Sequence, residues 1–307
     1  MHEIRVTVPD GQSARVARVA ADAGIDRVTV YKVFVCGLEQ SREVVSAEGS
    51  TPCSKAFVDG LLSSDWFNAA DCPVTARELR AILNDNPLSD VTRPMVEPAL
   101  DVLEDLWVLN HITPSYFGRA CSSALLLAYG MFENSAISIV VAALFLPFLS
   151  QVLGISFGLW AGDRLLARTA ALALAISTLL SVLAGAVIAL SYGGPLAFTD
   201  FKPPLWSFIF SCAIGVTAGL ASADDAGRRY IIGVAAAAQS AVFPVWFGVC
   251  LTRGFPGSGI TFERIATFGI NLLTIAVMSG AVYASIGLKP AEVGHFRSKV
   301  FGGFQRK

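Results

Sequence analysis

Long apolar stretches without a charged residue are the feature that most constrains how this chain folds. Crossing about 30 Å of hydrocarbon takes roughly 20 helical residues. A segment from Tyr116 to Phe132 is weaker, because only 13 uncharged residues separate Arg119 from Glu133; it is either a short or tilted span or a re-entrant segment. With that segment, the pattern predicts an all-α membrane domain of about six helices. The other five stretches are Ala136 to Ala161, Ala170 to Tyr192, Pro203 to Ala223, Tyr230 to Leu251 and Ile265 to Leu288.

Charged residues are concentrated at the start of the chain. Of the 47 charged residues, 28 lie in residues 1–119, and 17 of those 28 are acidic. Such a density is typical of a domain in water, whereas the rest of the chain is depleted in charge as lipid-embedded segments are. We therefore expect a soluble N-terminal domain followed by a membrane region. Nucleic acid is not an expected partner, since binding its phosphates needs clustered Lys and Arg.

The N-terminal segment has the pattern of a small α+β domain. Residues 3–8 alternate so that Ile4, Val6 and Val8 share one face of a strand, and Pro-Asp-Gly follows as a turn. Two further strands are predicted at 27–35 and 42–47, with helices at 13–24 and 51–62 and a strand or helix at 74–83. This order predicts a ferredoxin-like sandwich, in which helices cover one face of an antiparallel sheet.

Composition divides the chain into four predicted parts. Residues 1–83 form the ferredoxin-like α+β domain, and residues 84–115 are a linker followed by an interfacial amphipathic helix with an apolar side. Residues 116–290 form the transmembrane domain. Residues 291–307 are a basic, amphipathic tail suited to an anionic membrane surface.

Basic residues near the spans predict the orientation, because short cytoplasmic loops carry an excess of Lys and Arg. With six spans, nine basic residues lie on the side of the two termini and three, Lys202, Arg253 and Arg264, on the other. We therefore expect a multi-pass protein of the inner (plasma) membrane with both termini in the cytoplasm. The six cysteines show no C-x-x-C pair, which favours free thiols in a reducing compartment.

The two halves of the predicted membrane domain resemble each other. Residues 141–148 are similar to residues 237–245, and Ala184-Gly-Ala-Val is similar to Ser279-Gly-Ala-Val. Matching segments lie three spans apart, so the halves would be inverted in the membrane, as in many transporters. The alternative is that small aliphatic helices are similar by chance and packing need.

Several short motifs, in order, resemble the domain-of-unknown-function 389 family. They are Asn134-Ser135, residues 142–147, Leu153-Gly-Ile155, Gly158-Leu-Trp-Ala-Gly-Asp-Arg164, Phe243-Pro244, Ile270-Asn-Leu-Leu273 and Gly287-Leu-Lys-Pro290. Gln151 and Val242 depart from the family pattern, in which additional prolines are usual at these places. The resemblance implies an α+β head, a hydrophobic membrane region and a milder backbone break than usual, but no activity.

Proline and polar residues inside the apolar stretches are the candidate pathway residues. A mid-span proline frees a backbone carbonyl that an ion or solute can bind, although a packing kink is an equally simple interpretation. Polar side chains nearby either line a path or form hydrogen bonds between helices. Arg119, Arg164 and Arg168 are candidates for lipid-headgroup contact, or for cytoplasmic anchoring. The pathway candidates are Pro147, Ser150, Gln151, Gln239, Ser240, Pro244 and Asn271.

These features favour a transporter or channel for a small solute or ion. The alternative is a membrane-anchored sensing, signalling or scaffold protein that acts through its N-terminal domain. The sequence contains no phosphate-binding loop, dinucleotide fingerprint, H-E-x-x-H or nucleophile elbow, so we expect neither an enzyme nor a cofactor or metal. Membrane lipids, an unidentified solute or ion, and further copies of the chain are the expected partners.

Overall fold

The computed structural model describes residues 2–35, 40–68, 71–78, 99–224, 233–288, 290 and 293. The chain divides into two compact units that meet in sequence at residue 98. The first unit is the N-terminal α+β domain and the second is an assembly of helices. The predicted linker at 84–98 and nearly all of the tail at 291–307 lie outside the described residues.

A four-stranded antiparallel sheet forms the frame of the first unit. Its strand order is β2-β3-β1-β4, and Val6 of the central strand lies opposite Val45 and Val74. Two helices complete the element order βαββαβ, which is that of the ferredoxin-like type. The elements are β1 His2–Pro9, α1 Ser13–Asp22, β2 Arg27–Val35, β3 Gln40–Gly49, α2 Thr51–Ser63 and β4 Val74–Glu78.

Alternation along the central strand places its apolar side chains in the domain core. Ile4, Val6 and Val8 are buried together with Phe57 and Leu61 of α2. Residues 74–83 had two predicted states, and the structure forms a strand over Val74–Glu78. The α+β prediction for the N-terminal domain is therefore confirmed.

The N-terminus of helix α1 is capped by a side chain of strand β3 rather than by the side chain of its own N-cap residue, Gln12. The carboxylate of buried Glu43 accepts hydrogen bonds from the backbone N–H groups of Gly11 and Ser13, at 3.0 and 3.1 Å. An anionic group at this position satisfies orphan donors and interacts favourably with the helix dipole. The cap ties β3 to the turn that follows β1.

The second unit is built of helices with short connections. Local capping starts several of them: the Thr113 hydroxyl accepts from the Tyr116 N–H, and Asp163 accepts from the N–H groups of Leu165 and Leu166, as N-cap residues do. The helices are α3 Ala99–Asn110, α4 Pro114–Phe132, α5 Ala136–Phe145, α6 Phe148–Ala161, α7 Arg164–Ser191, α8 Pro204–Ser222, α9 Gly233–Arg253 and α10 Ser258–Ser285.

Three helices among the described residues, α7, α8 and α10, are long and apolar enough to cross a membrane, and the bent pair α5–α6 makes a fourth if it is one span. This agrees with a membrane protein. Helix α4 has 19 residues but does not meet the same criterion of length and apolarity. The six-span prediction is therefore confirmed only in part, and α4 and α9 remain predicted spans.

Small residues allow the helices to approach closely. A Cβ added to Gly248 of α9 would lie 1.9 Å from the Val182 carbonyl oxygen of α7, and one added to Gly185 would lie 2.2 Å from the Val245 carbonyl oxygen. A Cβ added to Gly215 or Gly219 of α8 would lie 2.7 Å from Met278 Cβ or 3.0 Å from Val282 Cβ of α10. Membrane helices commonly pack in this way, since small side chains let the backbones touch.

Candidate functional site

The predicted span from Ala136 to Ala161 is broken at Pro147. Helix α5 ends at Phe145, α6 begins at Phe148, and the two are bent by 41°. Proline has no N–H to donate to the preceding turn, and its ring disfavours helical backbone at the residue before it. Leu146 accordingly has extended backbone angles, φ −76° and ψ 122°. A break or kink was expected at this mid-span proline, and the structure has a break there.

Pro244, which lies in a segment of similar sequence, leaves its helix unbroken. Helix α9 continues through it to Arg253. The residues beside the two prolines nevertheless share one apolar core: Leu146 and Phe148 belong to the same buried cluster as Phe243. The structure therefore brings the two proline segments together.

A hydrogen-bonded network of three buried side chains lies one turn beyond the break. The Gln151 Nε2 atom donates to the Tyr116 hydroxyl at 2.8 Å and to the Ser177 hydroxyl at 2.6 Å. Both hydroxyls lie close to the Ala173 carbonyl oxygen, at 2.6 and 3.0 Å. The network joins α4, α6 and α7, and Tyr116, Gln151 and Ser177 are at most 1% exposed.

In the structure the nitrogen of the Gln151 amide faces the two hydroxyls. Each hydroxyl can accept from this nitrogen while it donates its own hydrogen to the Ala173 carbonyl or to the other hydroxyl. The Gln151 Oε1 atom then has no hydrogen-bond partner, although it is fully buried. An unpaired buried acceptor is unfavourable by itself and indicates a place where another group binds.

A second carboxamide also contacts the first turn of α6. The Asn110 Nδ2 atom, at the end of α3, donates to the carbonyls of Leu106 and Ser150 at 2.8 and 3.1 Å. Gly154 makes room for it, since a Cβ there would lie 2.6 Å from that nitrogen. Because both partners are carbonyls, the nitrogen must face them, and Asn110 Oδ1 is buried without a partner.

The second half contains a smaller polar contact. The Asn271 Nδ2 atom of α10 donates to the Ser207 hydroxyl of α8 at 3.1 Å, and Asn271 Oδ1 has no partner. The buried Ser240 hydroxyl of α9 also has none. Of the pathway candidates, Ser150 and Gln151 lie in the first turn of α6. Ser240 lies on α9 and Asn271 on α10. The side chain of Gln239 lies outside the described residues.

Two arginines organise one end of the helical unit. The Arg253 guanidinium donates to the Ala189 carbonyl at 2.9 Å and to the carbonyls of Tyr192 and Gly194, which end α7. The Arg264 guanidinium lies 3.8 Å from the centroid of the Phe201 ring and 4.3 Å from that of Trp246. A cation at a helix C-terminus and a cation over aromatic rings are both favourable. Arg253 therefore stabilises the end of α7, and Arg264 joins α10 to Phe201, which precedes α8, and to Trp246 of α9.

The predicted lipid-facing arginines are at the surface. Arg119 lies on α4, and Arg164 and Arg168 lie in the first two turns of α7; all three are exposed. Asp163, which precedes them, is committed to the N-cap of α7. Arg119 lies one turn after Tyr116 and interacts electrostatically with it, but its side chain is exposed. Lipid contact by the three arginines remains a prediction.

Sequence reasoning missed Tyr116, Ser177 and Asn110. A signal for Ser177 was present, because α7 has small residues at helical spacing on one buried face: Ala170, Ala173, Ser177, Ser181 and Ala184. Such a stripe indicates the contact face of a membrane helix. Tyr116 begins the weakest of the predicted spans, and its contact with α7 depends on tertiary packing that the sequence pattern does not encode.

The fold defines a class: a protein with a small α+β domain and a helical region whose apolar helices fit a membrane. Residues 139–277 match the family described as Domain of unknown function (DUF389), a region that includes the broken helix, both prolines and Asn271. Residues 139–277 therefore carry the DUF389 domain, and the predicted resemblance is confirmed for this region. No curated protein and no solved structure matches the chain.

Proposed function

We propose that this protein carries a small solute or ion across the inner membrane through its helical unit, along a path that passes the Pro147 break. The observation that carries the proposal is the fully buried polar network of Tyr116, Gln151 and Ser177 within one turn of a helix break. A break frees backbone groups inside an apolar bundle, and such sites in membrane proteins are kept where they line a cavity or bind a solute.

Contacts at the helix ends support six passes. At one end, Glu133 contacts the Tyr192 hydroxyl, Arg253 caps α7, and the Phe198 N–H donates to the Met131 carbonyl. At the other end, Tyr283 of α10 bonds to Ser222 of α8 at 2.9 Å and packs on the Phe157 ring of α6. Loops 133–135, 192–203 and 254–257 thus lie at one end, which is the alternation expected of six antiparallel passes.

Helix pairing supports an inverted repeat of three plus three. If α4, α5–α6 and α7 correspond to α8, α9 and α10, the contact of α7 with α9 corresponds to that of α10 with α6, and both are present. The matched glycines lie at these two crossings, Gly185 against Val245 and Gly280 against Ser156. Each half also joins its first and third helices by a polar pair, Tyr116 with Ser177 and Asn271 with Ser207.

The contacts and exposure of the basic residues near the helix ends support cytoplasmic termini. The three basic residues assigned to the outer side are all engaged: Lys202 pairs with Asp200, Arg253 caps α7, and Arg264 stacks on two rings. Arg164 and Arg168 on the opposite side are exposed and are available to interact with anionic cytoplasmic lipids. Arg228 and Arg229 lie outside the described residues.

Flux measurements on purified full-length protein in liposomes test the proposal. We expect uptake of at least one solute or ion from a broad panel above that of protein-free liposomes. Pro147→Ala should lower this uptake, because alanine lets α5 and α6 join into one helix. Pro195→Ala, in the loop at 192–203, is the matched control and should not. Absence of any flux, or equal flux in all three proteins, would contradict the proposed path. We propose no enzymatic role, since the sequence contains no catalytic motif.

A second role, association or sensing through the N-terminal domain, is favoured by the exposed edge of its sheet. Strand β2 lies at one edge, and its Phe34 side chain is 67% exposed beside exposed Val30 and Tyr31. An apolar edge strand is a template for pairing with another chain, and we propose another copy of this protein. Phe34→Lys should then reduce cross-linked oligomers of the full chain, and an unchanged oligomer distribution would contradict this role for β2.

A further inference from the structure

The buried polar side chains of the helical unit have a one-sided surplus of hydrogen-bond acceptors. Three carboxamides there are fully buried: Asn110, Gln151 and Asn271. In each, the nitrogen donates to a protein acceptor and the oxygen has no partner. Among the described residues of this unit, the other buried polar side-chain atom without a partner is Ser240 Oγ, a hydroxyl that can donate as well as accept.

The helix break alone does not decide which charge a ligand carries. It leaves carbonyl groups at the end of α5, whose partial charge is negative, and N–H groups at the start of α6, whose partial charge is positive. The side chains around the first turn of α6 break this balance, because Gln151 Oε1 and Asn110 Oδ1 are both acceptors. A ligand held at this turn therefore meets more acceptors than donors.

Nearby charges agree with this sign. Among the described residues of the helical unit, no basic side chain is buried, and the buried Asp163 is committed to the N-cap of α7. An anion would thus enter a low-dielectric interior with unpaired oxygens and no counter-charge, which is strongly unfavourable. A neutral polar solute needs donors as well as acceptors, whereas the carboxamide donors here are already engaged. A cation needs acceptors alone.

We infer that the solute is a small monovalent cation, held by the neutral oxygens of Gln151 and Asn110 beside the Pro147 break. This inference rests on the proposed transport function and names its substrate class. Neutral carbonyl and amide oxygens suit a singly charged ion, since divalent ions take carboxylate ligands in proteins. Removal of an oxygen ligand should weaken the ion's passage, and replacement of the amide by a carboxylate should preserve it.

The test measures uptake of radiolabelled sodium, rubidium and chloride, and swelling in glycerol and urea, by liposomes that contain the full-length protein. We expect uptake of sodium or rubidium only. Gln151→Leu should lower it roughly tenfold, equivalent to about 1.4 kcal/mol, and Gln151→Glu should retain it. Ser181→Ala is the control, because that hydroxyl only bonds to the carbonyl one turn earlier in its own helix and should leave uptake unchanged.

The outcomes separate the two claims. Chloride uptake or glycerol swelling without cation uptake would overturn the assignment of charge and leave transport standing. Cation uptake that is equal in Gln151→Leu, with that variant eluting as a monodisperse protein, would overturn the site. Asn110→Leu gives a second variant should Gln151→Leu fail to fold. No flux of any probe would overturn the proposed function together with this inference.

Discussion

At the scale of single residues, the helical unit shows how an apolar interior accommodates polar groups. Tyr116, Gln151 and Ser177 satisfy one another's donors and converge on the Ala173 carbonyl. A buried network of this kind is stable only when its members are paired, because the low dielectric raises the energy of any unpaired group. The one member left open, Gln151 Oε1, is therefore the residue-level feature with functional meaning.

Tyr116→Phe should destabilise the helical unit by about 1–3 kcal/mol, because it leaves a buried amide donor with one partner fewer. Thermal unfolding of the purified protein in detergent measures this. Tyr129→Phe is the matched control, since Tyr129 lies on the same helix and is 45% exposed. Equal midpoints for the two variants would contradict the network.

Glu3 makes the N-terminal domain sensitive to acid. A hydrogen bond from Arg5, with further contributions from Ser46 and Arg77, holds the pKa of Glu3 below its ordinary value of 4.5, although partial burial opposes this. A carboxylate whose pKa is lower in the folded state stabilises the fold above the unfolded-state value, and this stability is lost as the pH falls through the folded-state pKa.

Glu3→Gln should therefore destabilise the domain at neutral pH and make no difference at pH values below the folded-state pKa of Glu3. The measurement is the difference in unfolding free energy between the two proteins, from neutral pH down past 4.5 to pH values below the folded-state pKa. A difference that stays constant across this range would contradict the assignment of Arg5 and Ser46 as partners of a charged Glu3.

At the scale of elements, the sequence patterns predicted most strands and helices but not which of the two mid-span prolines interrupts its helix. Alternation of apolar residues placed β1, and capping and turn residues placed α1 and α2 within one or two residues. A break or kink was expected at either proline, because Pro147 and Pro244 both lie inside apolar stretches, but only Pro147 interrupts its helix. Which of the two does so depends on surroundings that the sequence pattern does not encode.

The buried network was predictable only in part, for the same reason. Gln151 and Asn271 stood out as polar residues in apolar stretches, and the structure buries both. Tyr116 and Asn110 lie near helix ends, where a polar or aromatic residue is normally solvated, so their burial depends on how α3 and α4 pack on α6 and α7. Periodicity along one helix carries no information about that packing.

Gly248→Ala should weaken the contact between α7 and α9. Its Cβ would meet the Val182 carbonyl, a backbone atom that moves only with its helix, and overpacking of this kind costs typically 1–3 kcal/mol and occasionally more. Gly118→Ala is the matched control, because nothing lies within 4 Å of a Cβ there, and alanine should stabilise α4 by roughly 0.5–1 kcal/mol. Unfolding midpoints that shift in the same direction would contradict the close crossing.

At the scale of the whole molecule, an α+β domain is followed in sequence by a helical unit. That unit contains the DUF389 domain, and its two halves are proposed to be inverted. The weakest element of that topology is α4, which is long enough to cross a membrane but less apolar than its neighbours. Its buried face is nevertheless extensive, with Tyr116, Leu127 and Met131 in contact with other helices. A helix packed in this way inside a bundle needs less apolar surface toward lipid.

Tags at the two termini should lie on the same side of the membrane. Six spans place both in the cytoplasm, whereas a re-entrant α4 leaves five spans and separates them. Protease accessibility of N- and C-terminal tags in oriented inner-membrane vesicles measures this directly. Cleavage of one tag in right-side-out vesicles and of the other in inverted vesicles would contradict six spans.

Water access to the break at Pro147 tests the central claim, a transport path through the helical unit, most directly. Ser150→Cys, made in a chain whose native cysteines are replaced, places a thiol in the first turn of α6, and Leu179→Cys places one on the exposed face of α7. We expect a charged, membrane-impermeant thiol reagent to modify Ser150→Cys but not Leu179→Cys. Sodium or rubidium should slow the modification at position 150. An inert thiol at position 150 from both sides of the membrane would contradict a path past Pro147.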